Sequence, residues 1–304
     1  MKKMKKLLTS VAVLSGLFGA SASVLAAAPN TTDGTGSTDV NVLYAGSLVN
    51  LMEHSVGPAF EKETGLHMRG YAAGSGQIAN EIRGKLRRGD VFISASPKVN
   101  ASLMGDAHGN YVSWYVDFAE SPLLIGYNPK SRFAGDFKTK PWDTVLQEPG
   151  LRLGRTDPKL DPKGALTIEL VTKAAQAAGT PDLVEKTLGA PGNPAQVLPE
   201  ETLVGRLQSG QLDAGFFYGT ETSDLKIPSI RPAPDLNIQA NYTLTILRDA
   251  PNAAGAARFV NFLLSAEGRK LLAAHGVDVV TPAVKGDASA VPSSVQAMID
   301  GAKQ

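Results

Sequence analysis

Cysteine is absent from this chain of 304 residues. Its absence excludes disulfide bonds, thiolate metal sites, cysteine nucleophiles and a lipid-modified N-terminal cysteine. Histidine is scarce, and no two of the four histidines have the i,i+4 spacing of metal ligands on a helix. We therefore predict that the protein has no metal site built from its own side chains and needs no cofactor.

Long hydrophobic runs are lacking after the N-terminus, where no stretch approaches the ~18 apolar residues of a membrane-spanning helix. The N-terminus itself is typical of a secretory signal peptide, because four lysines precede an apolar run at Leu7–Ala20 and a small-residue cleavage site follows at Val24-Leu25-Ala26. We predict a signal peptide at residues 1–26, a disordered leader at 27–38, and a periplasmic mature protein without a lipid anchor.

A basic excess is missing as well. Four of the lysines lie in the predicted signal peptide, so the mature chain has 26 basic and 29 acidic residues and a net charge of −3. This balance argues against a nucleic-acid partner, which requires a clear excess of Lys and Arg. An anionic ligand would therefore be recognised by a local site and not by the overall field of the protein.

Apolar strands and amphipathic helices alternate along the chain. Predicted strands at 39–44, 66–71 and 90–94 enclose a helix that Gly65 ends and a second helix at 77–88. This alternation predicts an α/β fold with a parallel sheet, whose ligands bind beyond the carboxyl ends of the strands. The pattern repeats with strands at 123–127, 213–218 and 242–247 and helices at 165–178, 200–208, 253–264 and 267–275.

The order of these elements predicts two lobes, each a mostly parallel sheet flanked by helices, with a ligand cleft between them. We assign residues 39–119 to lobe 1, residues 120–240 to lobe 2, and residues 241–304 to a return into lobe 1. The chain is expected to cross between lobes near Asp117–Pro122 and near Gln239–Thr243.

Two Gly-Ser loops, at Gly46-Ser47 and Gly74-Ser75, follow successive strands of lobe 1. Glycine lets the backbone approach a ligand, the following helix presents unpaired N–H groups, and the serine hydroxyl adds a donor. Ser47 and Ser75 are therefore candidate anion ligands, although a serine before a helix is also a common N-cap.

Lobe 2 supplies matching features. Asp161-Pro162-Lys163-Gly164 precedes a helix, with Lys163 free to donate, and Glu200 opens the next helix. Tyr218 ends a strand, and its phenol can reach the cleft. The pattern fits equally well an aromatic residue that is partly buried in the core.

Five segments occur in an order and at a spacing that resemble a known family. They are Tyr44-Ala-Gly-Ser-Leu48, Ala72-Ala-Gly-Ser-Gly76, Gly89-Asp-Val-Phe-Ile-Ser-Ala95, Asp157-Pro-Lys-Leu-Asp-Pro-Lys-Gly164 and Leu212-Asp-Ala-Gly-Phe-Phe-Tyr218. Together they resemble the molybdate/tungstate-binding proteins of ABC importers, over roughly residues 40–285.

The resemblance implies a type II periplasmic binding fold and an interlobe cage for a tetrahedral oxyanion. It places ligand contacts on the hydroxyl and amide of Ser47 and Ser75, the backbone near Lys163, the helix start at Glu200 and the hydroxyl of Tyr218. The partners it implies are a membrane permease, docked transiently, and the oxyanion itself, with the protein as a monomer.

One position departs from the family. The archaeal-type branch has a glutamate immediately before the tyrosine of the last motif, where this chain has Phe217. In that branch the glutamate and an aspartate, matched here by Asp161, expand the coordination of the metal. Phenylalanine cannot ligate, so Asp161 is predicted either to contact the anion or to cap the following helix.

Two other functions stay open at this stage. The same fold can bind another anion, such as sulfate, phosphate, a phosphonate or a small organic acid. A periplasmic hydrolase using Ser47 or Ser75 would need a histidine base, and neither serine lies in G-x-S-x-G. The sequence has no G-x-x-x-x-G-K-[ST] for ATP, so we predict a binding protein that closes on its ligand and is not an enzyme.

Overall fold

The computed structural model of the protein describes residues 37–302. The predicted signal peptide and most of the predicted leader lie outside these residues. Within them, no helix is both long enough and apolar enough to cross a membrane.

The described residues form one sheet with helices on both faces, and this confirms the predicted α/β class. The strands are β1 (Asp39–Ala45), β2 (His67–Ala73), β3 (Val91–Ser94), β4 (Trp114–Tyr127), β5 (Leu153–Thr156), β6 (Val197–Leu198), β7 (Ala214–Tyr218), β8 (Ser229–Ile230), β9 (Gln239–Ile246) and β10 (Asp278–Gly286).

Five of the helices in the described residues have six residues or fewer, and α1 and α2 are separated by a π-helical turn at Met52–Val56. The helices are α1 (Val49–Leu51), α2 (Gly57–Thr64), α3 (Ser75–Arg83), α4 (Pro97–Ala101), α5 (Trp142–Val145), α6 (Pro162–Ala178), α7 (Leu183–Leu188), α8 (Glu200–Gln208), α9 (Gly219–Asp224), α10 (Ala253–Leu264), α11 (Ala266–Ala274) and α12 (Ser293–Gly301).

The strand order is β2-β1-β3-β9-β4-β7-β5-β6, with β8 and β10 also paired to β4. At one end β1 pairs in parallel with β2 and β3, and at the other β5 pairs in parallel with β6 and β7. Between these groups β9 and β4 are antiparallel to their neighbours. We call the β2-β1-β3 side the first half of the sheet and the β7-β5-β6 side the second half.

Strand β4 belongs to both halves. Its first part pairs with β9 and β10, and its last five residues pair with β7. The predicted crossings lie within β4 and β9, which pair with each other from Val116↔Leu244 to Pro122↔Gln239 with an irregularity between Asp117 and Ala119. The chain thus passes between the halves in continuous strands, and the lobe boundaries at 119/120 and 240/241 stay predictions.

Helix boundaries follow the sequence signals closely, with one clear error. Helix α2 ends before Gly65, whose φ of 70° is left-handed, and α8 has the predicted bounds. The helix predicted to reach residue 88 ends at Arg83, because Gly84 follows and Lys85 has a φ of 55°. The C-terminal elements β10 and α12 were not predicted.

Candidate functional site

Ser47 and Ser75 lie at the same edge of the sheet, because β1 and β2 end in register at Ala45↔Ala73. Both side chains are buried, and neither caps a helix. The Ser75 hydroxyl accepts a hydrogen bond from the N–H of Ala95 at 3.1 Å. The Ser47 hydroxyl lies 2.8 Å from that of Tyr242 on β9. The structure therefore places at one edge of the sheet the two serines that the sequence singled out.

The start of α6 lies against the loop that carries Ser75. Asp161 is its N-cap, and Oδ1 accepts hydrogen bonds from the N–H of Lys163 at 2.7 Å and from the hydroxyl of Thr156 at 3.2 Å. Pro162 occupies the first helical position, where no N–H is needed. The predicted backbone donor at Lys163 is thus already engaged by the aspartate that caps the same helix.

The side chain of Lys163 enters a buried ionic cluster. Its ammonium group donates to Glu200 at 3.1 Å and to Glu221 at 2.8 Å, and all three side chains are at most 5 % exposed. Glu221 also accepts the N–H of Tyr218 at 2.8 Å, which satisfies the N-cap amide at the start of α9. Glu221 was missed in the sequence, although a glutamate at the third position of a helix often accepts the N–H of the N-cap residue.

The electrostatics of this cluster are unbalanced, because three carboxyl groups surround one ammonium group. Burial, with help from Glu200 and Glu221, raises the pKa of Asp161 to about 7 against the opposing effect of Lys163. Burial also raises the pKa of Glu221. For Lys163, burial lowers the pKa, but Glu221 and Glu200 outweigh it and the pKa ends above its usual value. The ammonium stays charged while Asp161 changes charge near neutral pH.

Two tyrosines complete the site. The rings of Tyr218 and Tyr242 meet edge to face with centroids 6.2 Å apart, and the Lys163 ammonium lies 5.2 Å from the Tyr218 ring centroid. The Tyr218 hydroxyl is buried and has no hydrogen-bond partner among the described residues. An unpaired buried hydroxyl costs roughly 1–3 kcal/mol, so the Tyr218 hydroxyl is a candidate donor to a bound ligand. Tyr242 was not predicted as a site residue.

The two halves of the sheet touch around the cluster. The carbonyl of Leu160 accepts the N–H of Gln77 at 2.9 Å, and a Cβ on Gly74 would lie 2.7 Å from the same carbonyl oxygen. A Cβ on Gly46 would collide with the carboxylate of Glu200. Both Gly-Ser loops therefore need glycine because the opposite half packs directly against their backbone.

Openings flank this contact on either side. One is a cavity of about 520 Å³ and the other a cavity of about 250 Å³, and Asp161 lines both. Of the charged side chains around Lys163, Asp161 is therefore the one that lines both openings.

Phe217, the departure from the family motif, is fully buried in a separate apolar cluster. Its partners there are Leu203, Leu207, Leu212 and Ile227. The ring also covers Gly126 and Gly215, where any Cβ would lie within 3 Å of it. Phe217 therefore has a packing role in the second half of the sheet and no polar group to offer a ligand.

A Ser–His–Asp array does occur, away from the predicted serines. The imidazole of His275 lies 2.8 Å from the hydroxyl of Ser55 and 2.7 Å from the carboxylate of Asp224. Ser55 sits inside the π-helical turn Met52–Val56, and not directly after the end of a strand, where the predicted serines lie. Within residues 37–302, neither Ser47 nor Ser75 hydrogen-bonds to a histidine, so the geometry gives no support to the hydrolase alternative.

No group of three or more His, Cys, Asp or Glu side chains in the described part of the chain is arranged to hold a metal ion. Where Asp161, Glu200 and Glu221 meet, the Lys163 ammonium pairs with the two glutamates.

Comparisons with known proteins agree with this architecture. A molybdate/tungstate-binding protein, WtpA, from Pyrococcus abyssi is 25% identical over 323 residues, covering 89% of this chain and 92% of that protein. The periplasmic molybdate-binding protein of Azotobacter vinelandii has a TM-score of 0.62 at 18% identity, covering 78% of this chain and 98% of that one. The sulfate-binding protein SubI of Mycobacterium tuberculosis also has a TM-score of 0.62, at 14% identity, covering 86% and 90%.

These structural likenesses confirm the predicted two-lobed periplasmic binding fold. They do not discriminate between anions, since a molybdate binder and a sulfate binder are equally similar in fold. The family model for bacterial extracellular solute-binding proteins matches residues 40–278. With a match over most of its length, the chain belongs to the bacterial extracellular solute-binding proteins.

Proposed function

We propose that this protein is the periplasmic substrate-binding component of an ABC importer and that it captures molybdate or tungstate between its lobes. It acts as a monomer that docks transiently on a membrane permease, and it catalyses no reaction. The name of the Pyrococcus relative supports the choice of ligand. The family supports the extracellular or periplasmic location.

The unpaired hydroxyl of Tyr218 is the observation that carries the proposal. It is a donor held in the interior beside Lys163, at the point where both halves of the sheet meet. Ser47 and Ser75 add two more hydroxyls from the opposite half. Neutral donors of this kind replace the water around an oxyanion without a matching full positive charge.

The N-termini of three helices add positive electrostatic potential at the site. Helices α3, α6 and α8 begin at Ser75, Pro162 and Glu200, all of which belong to or adjoin the cluster. Each helix start is equivalent to roughly half a positive charge, so three of them offset part of the charge of the surrounding carboxylates. The anion first meets one lobe, and closure about β4 and β9 then brings the other lobe onto it.

Calorimetric titration of the ligand-free protein with molybdate, tungstate, sulfate and phosphate tests this proposal. We expect one-to-one binding of molybdate and tungstate and much weaker binding of sulfate. Binding of sulfate or phosphate alone would keep the mechanism and overturn the ligand. Absence of heat from all four anions would overturn the proposed function.

A protonated oxyanion, such as phosphate or a phosphonate, is the second candidate. The observation in its favour is the carboxyl group of Asp161, which lines both openings of the cleft. An ionised carboxylate there would accept a hydrogen bond from a protonated anion and repel one that has no proton. The ionisation state of Asp161 in the complex therefore separates the two candidates.

A further inference from the structure

The buried cluster has too much negative charge to receive a dianion as it stands. Asp161, Glu200 and Glu221 surround Lys163, so full ionisation gives three negative charges against one positive charge. Each of the four side chains is nine-tenths or more buried. A dianion placed beside them in a medium of low dielectric would meet strong repulsion, which helix starts and hydroxyls only partly offset.

Both glutamates contact the lysine directly. The ammonium lies 3.1 Å from Glu200 and 2.8 Å from Glu221. Asp161 has no such contact, because its partners are a backbone N–H and a threonine hydroxyl, both on Oδ1. Asp161 is thus the acid that most easily accepts a proton.

The second oxygen of Asp161 points toward the opposite lobe. Oδ2 lies 3.1 Å from the position that a Cβ on Gly74 would take, beside the Gly-Ser loop that carries Ser75. A proton on Oδ2 would face the same loop as the serine donor, while Oδ1 continues to cap α6. The cap and the proton therefore do not compete for one oxygen.

Resting on the proposed function, we propose that Asp161 is a specificity-determining residue that enters the complex as a neutral carboxylic acid. One proton from solvent adds to its carboxylate as each oxyanion binds, and the resulting O–H donates to the anion. Its pKa of about 7 in the free protein means that the proton is only partly in place at neutral pH. A neighbouring anion raises that pKa further, so binding draws the proton in.

The other charged groups around Asp161 are consistent with this assignment. The inward-facing ones are Lys163, Glu200, Glu221 and the phenol of Tyr218. Those that line the two openings with it are Lys98 from the other lobe and Lys159, Glu169, Glu201 and Asp157. Lys163 keeps its charge because its pKa is raised. We therefore assign to Asp161 the proton that is taken up when the anion binds.

Proton-linked calorimetry on the full mature chain tests the inference. Molybdate, which carries no proton at neutral or alkaline pH, is titrated in two buffers that differ in ionisation enthalpy, at several values from about pH 6 to about pH 9. We expect uptake of close to one proton per anion at about pH 8, falling toward zero at about pH 6 where Asp161 is already mostly protonated. Above about pH 7 the dissociation constant should rise about tenfold per pH unit.

Asp161→Asn is the matched variant, because its amide oxygen can still cap α6 and its NH₂ group replaces the O–H donor. We expect it to bind molybdate with no proton uptake and with an affinity that is flat across the same pH range. Asp287→Asn makes the same change at an exposed cap of a 3₁₀ turn and should keep the wild-type linkage.

The outcomes separate the two proposals. Binding of molybdate without proton uptake would overturn this inference and leave the proposed function intact. Proton uptake that persists in Asp161→Asn would overturn the assignment to Asp161. Failure of every anion to bind would overturn the proposed function, and the inference with it.

Discussion

Replacing Tyr218 with phenylalanine removes a single buried oxygen and leaves the ring in place. In the free protein that oxygen has no hydrogen-bond partner among the described residues. Its burial costs roughly 1–3 kcal/mol, so the variant should be as stable as wild type or more stable, by up to about 2 kcal/mol. For a chain of this size, that gain raises Tm by about 2–4 °C per kcal/mol.

Anion affinity should change in the opposite direction. A hydrogen bond to a charged group contributes about 1.5–3 kcal/mol, so the loss of the Tyr218 donor should weaken molybdate binding about 10- to 150-fold. Urea unfolding without ligand gives the stability, and calorimetric titration gives the affinity. A gain in stability together with a loss of affinity is the signature of a group held for a ligand.

Tyr242→Phe is the control with the same chemical change. Its hydroxyl is bonded to that of Ser47 at 2.8 Å, so its removal should lower the free energy of unfolding by about 0.5–1.5 kcal/mol. If Tyr218→Phe instead lowered stability and left the affinity unchanged, the phenol would be a structural group and the reasoning about the cleft would be refuted.

Three further changes test other parts of the structure. Gly74→Ala places a Cβ 2.7 Å from a carbonyl of the opposite lobe. It should weaken molybdate binding at least about tenfold, as measured by calorimetry. Gly205→Ala is the control, because a Cβ there meets no other atom and the affinity should not change. Lys163→Met leaves two glutamates buried without their cation and should destabilise the fold by about 3–5 kcal/mol in urea unfolding, with partial recovery at low pH. Asp213→Asn should lower the free energy of unfolding by about 1–3 kcal/mol at pH 7. Burial alone would raise the pKa of Asp213, but hydrogen bonds, chiefly from Arg152, outweigh it and lower that pKa to about 2. The contribution of Asp213 is present above about pH 4 and is lost as the pH falls through about 2, so the variant should lack that acid-dependent loss in thermal melts.

Each of these expectations has a clear contrary result. Equal affinities for the two glycine variants would mean that the lobes do not need the close contact at Gly74. A Lys163→Met protein of wild-type stability would contradict the assignment of a buried ion cluster. An Asp213→Asn variant with the same acid-dependent destabilisation as wild type would show that other carboxylates govern that range.

Much of the fold could be predicted because its signals are local. The alternation of strand and helix from Asp39 to Ser94 gave the parallel order of β1, β2 and β3. Parallel strands end at one edge, so the placement of Ser47 and Ser75 at the same edge of the sheet followed from the pattern alone. The helix predicted at 165–178 begins three residues earlier, at Pro162, because Asp161 caps it and proline is favoured at the first helical position.

The rest depends on contacts between distant parts of the chain. Tyr242 reads as one more apolar strand residue, and only tertiary structure brings its hydroxyl to Ser47, 195 positions away. Glu221 looks like an ordinary acid in the first turn of a helix, and nothing local shows that Lys163 reaches it. The role of Lys163 was misjudged for the same reason, because its N–H is used by the cap and its side chain carries the charge.

The antiparallel strands at the middle of the sheet have a consequence for the biogenesis of the protein. Strand β3 pairs with β9, and β4 pairs with both β9 and β10, so the first half of the sheet is completed only by residues from the end of the chain. Folding that depends on such distant strand pairs is slow, because the entropy of closing a long loop is lost before the pairing stabilises the sheet. For a chain predicted to be exported, this delay bears on when the cleft forms. During such export an incomplete sheet would leave the polypeptide without its cleft, which would form only after β9 and β10 had paired with β3 and β4.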